Sequence, residues 1–140
     1  MIRNKERLQG KGRSGTLLLE KLKQIDEALA GIEWHFPCIS SPDDFIDSEN
    51  GVDLLEKITI TLISIAENFK KMDRDTKGKK LAQRYPDVNW SGIKGVGDIL
   101  SREPFYIDAE EIFHICANDL QPLRTAVQEM ITELKNGHSP

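Results

Sequence analysis

The segment LLEKITITLISIAENF, residues 54–69, decides the fold class of this chain. Its main apolar residues are spaced alternately three and four apart, which is the period of one face of an α-helix. The residues of this stripe are Leu55, Ile58, Leu62, Ile65 and Phe69. Further apolar residues lie elsewhere around the same helix, namely Leu54, Ile60 and Ile63. We therefore predict a helix over about 51–73 that is central in a bundle, or that faces both its own bundle and a partner subunit.

The segments on either side have the same helical period and no alternating strand pattern. The first predicted helix covers roughly 16–34. The third runs from Trp90 to about Ser101, and Asn89 is placed to cap its first turn. A short helix is predicted before Pro86 in the basic segment that links the second and third helices. The two tryptophans, Trp34 and Trp90, are interpreted as core or interface anchors.

The fourth predicted helix follows Asp108, which is a favourable N-cap residue, and is broken or kinked near 118–122. Pro122 is tolerated there if it lies in the first turn of a final segment that Asn118 or Asp119 caps. That segment continues to about 135. The predicted fold is all-α: an antiparallel up-and-down helical bundle of four main helices, the last one broken or kinked near 118–122.

The length of 140 residues and the charged fraction of 30% suit one globular domain. The net charge of −4 is unevenly distributed, because residues 1–13 carry five basic side chains and one acidic side chain. We predict a basic flexible arm over 1–15, a bundle domain over 16–135 and a frayed tail over 136–140. The arm is either a contact for nucleic acid or an acidic partner, or a solvated terminus.

The sequence has no spacing typical of a metal or cofactor site. Cys38 and Cys116 are far apart, so two reduced thiols are predicted, and the three histidines are scattered. The acidic run 43–49 lacks the spacing and the glycine of a calcium loop and is interpreted as a solvated loop. There is no apolar run of membrane-spanning length and no secretory signal. We therefore predict a cytoplasmic protein without a metal or cofactor.

The C-terminal half resembles one protein family in an ungapped order of residues. Residues 84–123 read RYPDVNWSGIKGVGDILSREPFYIDAEEIFHICANDLQPL. A Tyr-Pro-x-x-x-Trp motif begins at Tyr85, and an Asp-Leu-x-Pro-Leu helix junction begins at Asp119. The segment 54–72 also resembles the second helix of that family. On these residues the chain is similar to the HepT-like branch of the HEPN proteins over most of 16–135.

The resemblance implies a helical bundle that forms homodimers, in which the Arg/His motifs of the two subunits face each other. It also implies metal-independent cleavage of RNA by a toxin that is encoded beside a small nucleotidyltransferase antitoxin. In this family the partner can adenylylate the motif tyrosine and silence the toxin. A homodimer, a nucleotidyltransferase-family partner and RNA are therefore the contacts that the resemblance implies for this chain.

The chemically active positions of the family motif are replaced in this chain. The family helix ends in Arg-Asn-x-Leu-x-His-x-Tyr-Phe, and in the same register Leu100 is retained. The four active positions hold other residues, namely Gly97, Asp98, Arg102 and Pro104. Cleaving RNA without a metal needs a base for the 2′-OH proton, an acid for the leaving oxygen and a cation for the phosphorane charge. Because an arginine stays protonated, Arg102 cannot replace the histidine as general base, and no catalytic residue is assigned.

Two of the replacements keep charged groups at this position. Asp98 and Arg102 are spaced i, i+4 with the acid first, which predicts an ion pair on the helix surface. The pair is interpreted either as a remnant contact for phosphate or RNA, or as a stabilising surface pair. Tyr106, two positions beyond Pro104, is either a modification site or a packed tyrosine.

These observations leave three hypotheses of different classes. The first is a HepT-like protein of a toxin–antitoxin type module that has no ribonuclease activity and acts by binding protein or nucleic acid. The alternative is an active metal-independent RNA endonuclease with a displaced site, formed by Arg102 together with His114 or the basic arm. The third is a nucleotide- or RNA-binding module that depends on residues 1–13. Enzymatic activity therefore stays open at this level, and the replaced motif argues against it.

Overall fold

The computed structural model describes residues 13–75, 80–103 and 107–137, and in these ranges every regular element is a helix. The α-helices are α1 (Arg13–His35), α2 (Glu49–Asp75), α3 (Leu81–Arg84), α4 (Trp90–Arg102), α5 (Ala109–Asn118) and α6 (Leu120–Lys135). Two short 3-10 helices, Phe36–Cys38 and Pro42–Phe45, connect α1 to α2. The predicted all-α class is confirmed. The predicted four helices become six in these ranges, because α3 is separate and the break near 118–122 divides the last helix into α5 and α6.

The two predicted terminal segments are covered only in part. Residues 1–12 of the basic arm and residues 138–140 of the tail lie outside the described residues. Residues 13–15 of the arm belong to α1, which therefore begins before the predicted position of roughly 16.

Helix α2 lies at the centre of the bundle. All five residues of its main stripe are buried, and Ile58, Leu62 and Phe69 have no exposed surface. Each such side chain contributes roughly 1.5–3 kcal/mol when it is fully buried. The helix packs mainly against α4, and also against α1, α5 and the second 3-10 helix. Of its additional apolar residues, Leu54 and Ile63 are half-buried against the core, whereas Ile60 is 67% exposed.

Helices α1 and α6 form the other main contact of the bundle. Arg124 of α6 donates from Nε to Asp26 and from Nη1 to Glu33, both at 2.8 Å, and both acids lie on α1. Gln128 of α6 also donates to Asp26, at 3.4 Å. Because one arginine engages carboxylates two helical turns apart, it fixes the position of α6 along α1.

Two of the predicted helix caps make side-chain capping bonds, and the third, Asp119, is the N-cap of α6 by position only. The Asn89 side chain accepts the Gly92 N–H at 3.2 Å, and Asp108 accepts the N–H groups of the second and third residues of α5. Asp119 has helical backbone angles, and its side chain makes no capping bond to α6. Its carboxylate instead accepts the side-chain amide of Asn89 at 3.3 Å. Asp119 therefore joins the α5–α6 break to the start of α4.

The connection between α1 and α2 contributes to the core, although its sequence is polar. Phe45, at the end of the second 3-10 helix, has no exposed surface. Its ring centroid lies 6.3 Å from that of Phe36, which lies 5.3 Å from that of Phe113 on α5. These three rings attach the connection to the bundle.

The two tryptophans have opposite environments. Trp90 at the start of α4 is buried, donates its indole N–H to the Tyr85 carbonyl at 3.0 Å, and meets the Phe69 ring edge-on. Trp34 near the end of α1 is 80% exposed. The interpretation as a core anchor is therefore confirmed for Trp90, whereas Trp34 lies outside the core and its interpretation as an interface anchor stays a prediction.

Asp73 near the end of α2 links this helix to α3 and α4. One carboxylate oxygen accepts the backbone N–H of Leu81 in α3 at 2.9 Å, and the other binds the Lys94 ammonium of α4. Its backbone carbonyl accepts a bond from the Lys80 side chain. Partial burial acts to raise the pKa of Asp73, but the bonds from Lys94 and Leu81 outweigh it and hold this pKa below the ordinary range.

We expect Asp73→Asn to lower the free energy of unfolding at neutral pH by about 1–2 kcal/mol, because the charged bond to Lys94 is lost. A carboxyl group with a depressed folded pKa stabilises the fold above its unfolded pKa of about 3.9, and this contribution is lost as the pH falls through the folded pKa. The difference between wild type and variant should therefore shrink below about pH 4, as measured by urea unfolding across the pH range.

The matched control for Asp73 is Glu56→Gln, which neutralises an exposed acid on the same helix. Glu56 forms no ion pair within the described residues. Equal losses of stability in the two variants would contradict a specific contribution of the Asp73 bonds.

Helices α2 and α4 approach closely where Gly97 faces Ala66. A Cβ atom built on Gly97 would lie 2.3 Å from the Ala66 Cβ and 3.3 Å from the Leu62 carbonyl oxygen. Such distances are far below van der Waals contact, so no residue larger than glycine fits without moving the helices. Gly95, two residues earlier in the same helix, has open space around its Cβ position.

This contact predicts opposite effects of two glycine substitutions in one helix. We expect Gly97→Ala to destabilise the protein by about 1–3 kcal/mol through overpacking. The control Gly95→Ala should stabilise it by about 0.5–1 kcal/mol, since alanine is the better helix former. Denaturant unfolding measures both. Ala66→Gly combined with Gly97→Ala should lose less stability than the sum of the single changes, and strict additivity would contradict the contact.

Candidate functional site

The motif positions identified from the sequence lie in the second half of α4 and just beyond it. Gly97, Asp98 and Arg102 belong to α4, which ends at Arg102. Pro104 and Tyr106 lie outside the described residues. The orientation of α4 is set by its buried apolar face, which consists of Trp90, Ile93, Val96 and Leu100.

Gly97 faces the interior of the bundle. It is buried in the α2–α4 contact, opposite Ala66. Any side chain in this register would therefore begin between two packed helices, and not at the surface where a phosphate group could reach it. The position contributes packing and offers no group for electrostatic stabilisation of a phosphorane.

Asp98 forms a different ion pair from the one that its sequence neighbourhood predicts. Its carboxylate binds the ammonium group of Lys70 on α2, which also lies 3.6 Å from Glu67. The predicted Asp98–Arg102 pair is not formed within 4.0 Å. The bond from Lys70 lowers the pKa of Asp98 more than partial burial raises it, and Arg102 adds a through-space attraction. Asp98 pairs with Lys70 because Lys70 lies on α2, the helix that packs against α4. Arg102 lies in the exposed last turn of α4.

Arg102 is an exposed cation at the end of α4. Within the described chain it has no hydrogen bond and no ion pair. Its neighbour Ile99 is 44% exposed, while Leu100, the retained residue of the motif, is buried. The site therefore presents one guanidinium group that can donate to an anion, beside a carboxylate that is already paired.

The described part of the chain does not bring a histidine to this arginine. His114 of α5 is exposed, and its Nδ1 atom lies 3.1 Å from the side-chain nitrogen of Asn118 on the same helix. No hydrogen bond joins His114 to Arg102 in the described ranges. His138 lies outside the described residues. The pair that the displaced-site hypothesis requires is thus not assembled by these contacts.

A narrow groove lies between α4 and α5, next to the motif positions. Its described lining consists of Val96, Ile99, Leu100, Asp108, Glu111 and Ile112. Its volume of about 10 Å³ is close to the minimum for one water molecule. Two of the lining side chains are acidic, which disfavours a phosphate group. The groove therefore has neither the room nor the charge to bind a nucleotide.

The remaining reactive groups are dispersed. Cys38 is exposed and Cys116 is half-buried, and both are free thiols. Burial raises the pKa of Cys116 to about 12, so its thiolate is scarce at neutral pH. Among the residues that the structure describes, no three His, Cys, Asp or Glu side chains converge in a way that could hold a metal ion. In the same ranges no helix has the length and apolar character needed to cross a membrane.

The contact at these positions that the sequence did not indicate is the Lys70–Asp98 pair. Its partners are separated by 28 residues, so no local spacing rule connects them. Only the packing of α2 on α4 brings Lys70 to Asp98.

Comparison with known proteins identifies the family of this chain. The family model described as Ribonuclease HepT-like matches residues 20–130. No solved structure matches the chain. The matched segment begins within α1 and ends within α6, so it includes α2 to α5 and residues 97–104. This chain therefore belongs to the HepT-like ribonuclease family of HEPN-type proteins.

Proposed function

We propose that this chain is a HepT-like protein of a toxin–antitoxin type module that acts by binding and does not cleave RNA. The observation that carries the proposal is the packing at Gly97, to which the resemblance assigns the position of the family arginine. A Cβ atom there would lie 2.3 Å from the Ala66 Cβ. A phosphate-binding side chain at this position would require α2 and α4 to separate.

The charged residues that remain on α4 support the same proposal. Arg102 can donate to a phosphate oxygen but cannot accept a proton at any working pH. Asp98 is held by Lys70, and its lowered pKa makes it a weak base near neutrality. General bases work best when their pKa is close to the ambient pH. A cleavage reaction that used only Asp98 and Arg102 would therefore have a cation and no effective base.

The proposed mode of action is protein association. We infer a cytoplasmic homodimer of the bundle domain over 16–135, with a nucleotidyltransferase-family protein as its partner. Family membership supports the module context. The described surface also offers exposed apolar side chains for such contacts, on three different helices: Trp34, Ile60 and Ile99. The basic arm over 1–15 would add contacts with an acidic partner surface or with RNA.

The first test is RNA cleavage by the purified chain. Incubated with mixed single-stranded RNA, without metal and with Mg²⁺, the protein is expected to give no more product than buffer, as judged on denaturing gels. Arg102→His, which restores the family histidine, should also be inactive, because position 97 still lacks a cation.

The matched control for cleavage is Arg102→Ala. Cleavage by the wild type that Arg102→Ala abolishes would overturn the proposal and establish the displaced-site endonuclease. Cleavage that survives in Arg102→Ala but disappears when residues 1–13 are removed would also overturn it, and would place the activity at the arm.

The second test identifies the partner. A tagged chain purified from its native cells is expected to carry a nucleotidyltransferase-family protein, and its own intact mass should be unmodified, since Pro104 stands where the family has its tyrosine. A mass increase that Tyr106→Phe removes would show that modification has moved to Tyr106. Recovery of the chain with RNA and without any protein would contradict the proposed mode of action.

A further inference from the structure

A second concave surface lies at the opposite end of α4 from the motif positions. One wall is the segment 84–88, which precedes α4, and the other is the face of α6 over 121–129. The apolar floor of this cleft consists of Tyr85, Pro86, Val88, Pro122 and Ala126. Its volume of about 400 Å³ is within the range of roughly 300–1,000 Å³ that is typical of ligand pockets. We call it the proline cleft.

The first wall of the proline cleft is held in place by a polar network. Arg84 donates to the Glu133 carboxylate of α6 at 2.9 Å, and the Tyr85 hydroxyl donates to the same oxygen at 3.2 Å. The Arg84 guanidinium also lies 5.3 Å from the centre of the Tyr85 ring. Burial raises the pKa of Tyr85 to about 12, so its hydroxyl stays a donor at neutral pH. The cleft is therefore formed before any ligand arrives.

The rim of the proline cleft carries negative charge that the protein does not neutralise. The charge of Arg84 is engaged by Glu133. Asp87 on one wall and Glu129 on the other are exposed, and neither forms an ion pair within the described ranges. Gln121 and Thr125 complete the polar rim. An apolar floor between two carboxylates is complementary to a ligand that combines an aliphatic surface with a positive charge.

We propose that the proline cleft binds a cationic segment of a partner polypeptide. An aliphatic or proline residue of that segment packs on Pro86 and Pro122, and a flanking lysine or arginine faces Asp87 and Glu129. The cleft lies roughly 18 Å from Arg102, the length of α4 at 1.5 Å per residue. This inference goes beyond the proposed function, because the cleft binds a peptide whether or not the other end of α4 cleaves RNA.

The test uses a basic peptide, acetyl-Pro-Leu-Arg-Pro-Lys-amide, and an acidic counterpart with glutamate in place of arginine and lysine. Titration of the ¹⁵N-labelled full chain with the basic peptide should shift amide signals of residues 84–88 and 121–129. Asp87→Asn and Glu129→Gln should each weaken the affinity about two- to fivefold, as expected for exposed charge pairs. Added salt should weaken it further.

The matched control is Glu110→Gln, which neutralises an exposed acid on α5 outside the cleft and should leave the affinity unchanged. Thr125→Arg places a cation on the exposed rim and should abolish binding without disturbing the core. Equal binding of the acidic peptide, shifts confined to other surfaces, or full affinity in Thr125→Arg would each overturn the proposal. Displacement of the basic peptide by a short single-stranded RNA would overturn it as well.

Discussion

The close approach of α2 and α4 at Ala66 and Gly97 is the constraint on which the rest of the structure depends. It brings the Phe69 and Trp90 rings to 4.9 Å and allows two reciprocal ion pairs, Lys70–Asp98 and Asp73–Lys94. The lysine lies on α2 in one pair and on α4 in the other. A slide of one helical turn in one direction would therefore bring Lys70 opposite Lys94, and a slide in the other direction would bring Asp73 opposite Asp98. Small residues determine how close the helices come, and charges determine their register.

The same contact limits the chemistry of the candidate site. Position 97 can hold a glycine that packs against α2, or a cationic side chain that reaches a phosphate, but not both. The Asp98 carboxylate is likewise engaged in packing. It is ionised and paired with Lys70, and this pair helps to set the register of the two helices. The end of α4 thus has the properties of a structural element, with Arg102 as its remaining exposed charge. Gly97 and Asp98 are thus both engaged in the packing of α4 on α2.

The features that the sequence predicted correctly depend on neighbours along the chain. The α2 stripe and the caps Asn89 and Asp108 are local patterns, and the family was identified from an ungapped order of residues over 84–123. The errors arise from contacts that are distant in sequence. The Asp98–Arg102 pair was wrong because a lysine 28 residues away competes for the carboxylate. Burial of Phe45 within a polar connection depends on aromatic rings of two other elements, which no local period reveals.

The contrasting environments of Trp34 and Trp90 give this protein two intrinsic optical reporters. The Trp90 indole, enclosed beside Phe69 and bonded to the Tyr85 carbonyl, emits from an apolar and rigid surrounding. Trp34, which is 80% exposed, emits from water. The short-wavelength part of the fluorescence spectrum, from Trp90, therefore reports whether α2 and α4 stay packed. The long-wavelength, quencher-accessible part, from Trp34, reports whether another molecule covers the end of α1. Folding and association can thus be observed separately in one unlabelled sample.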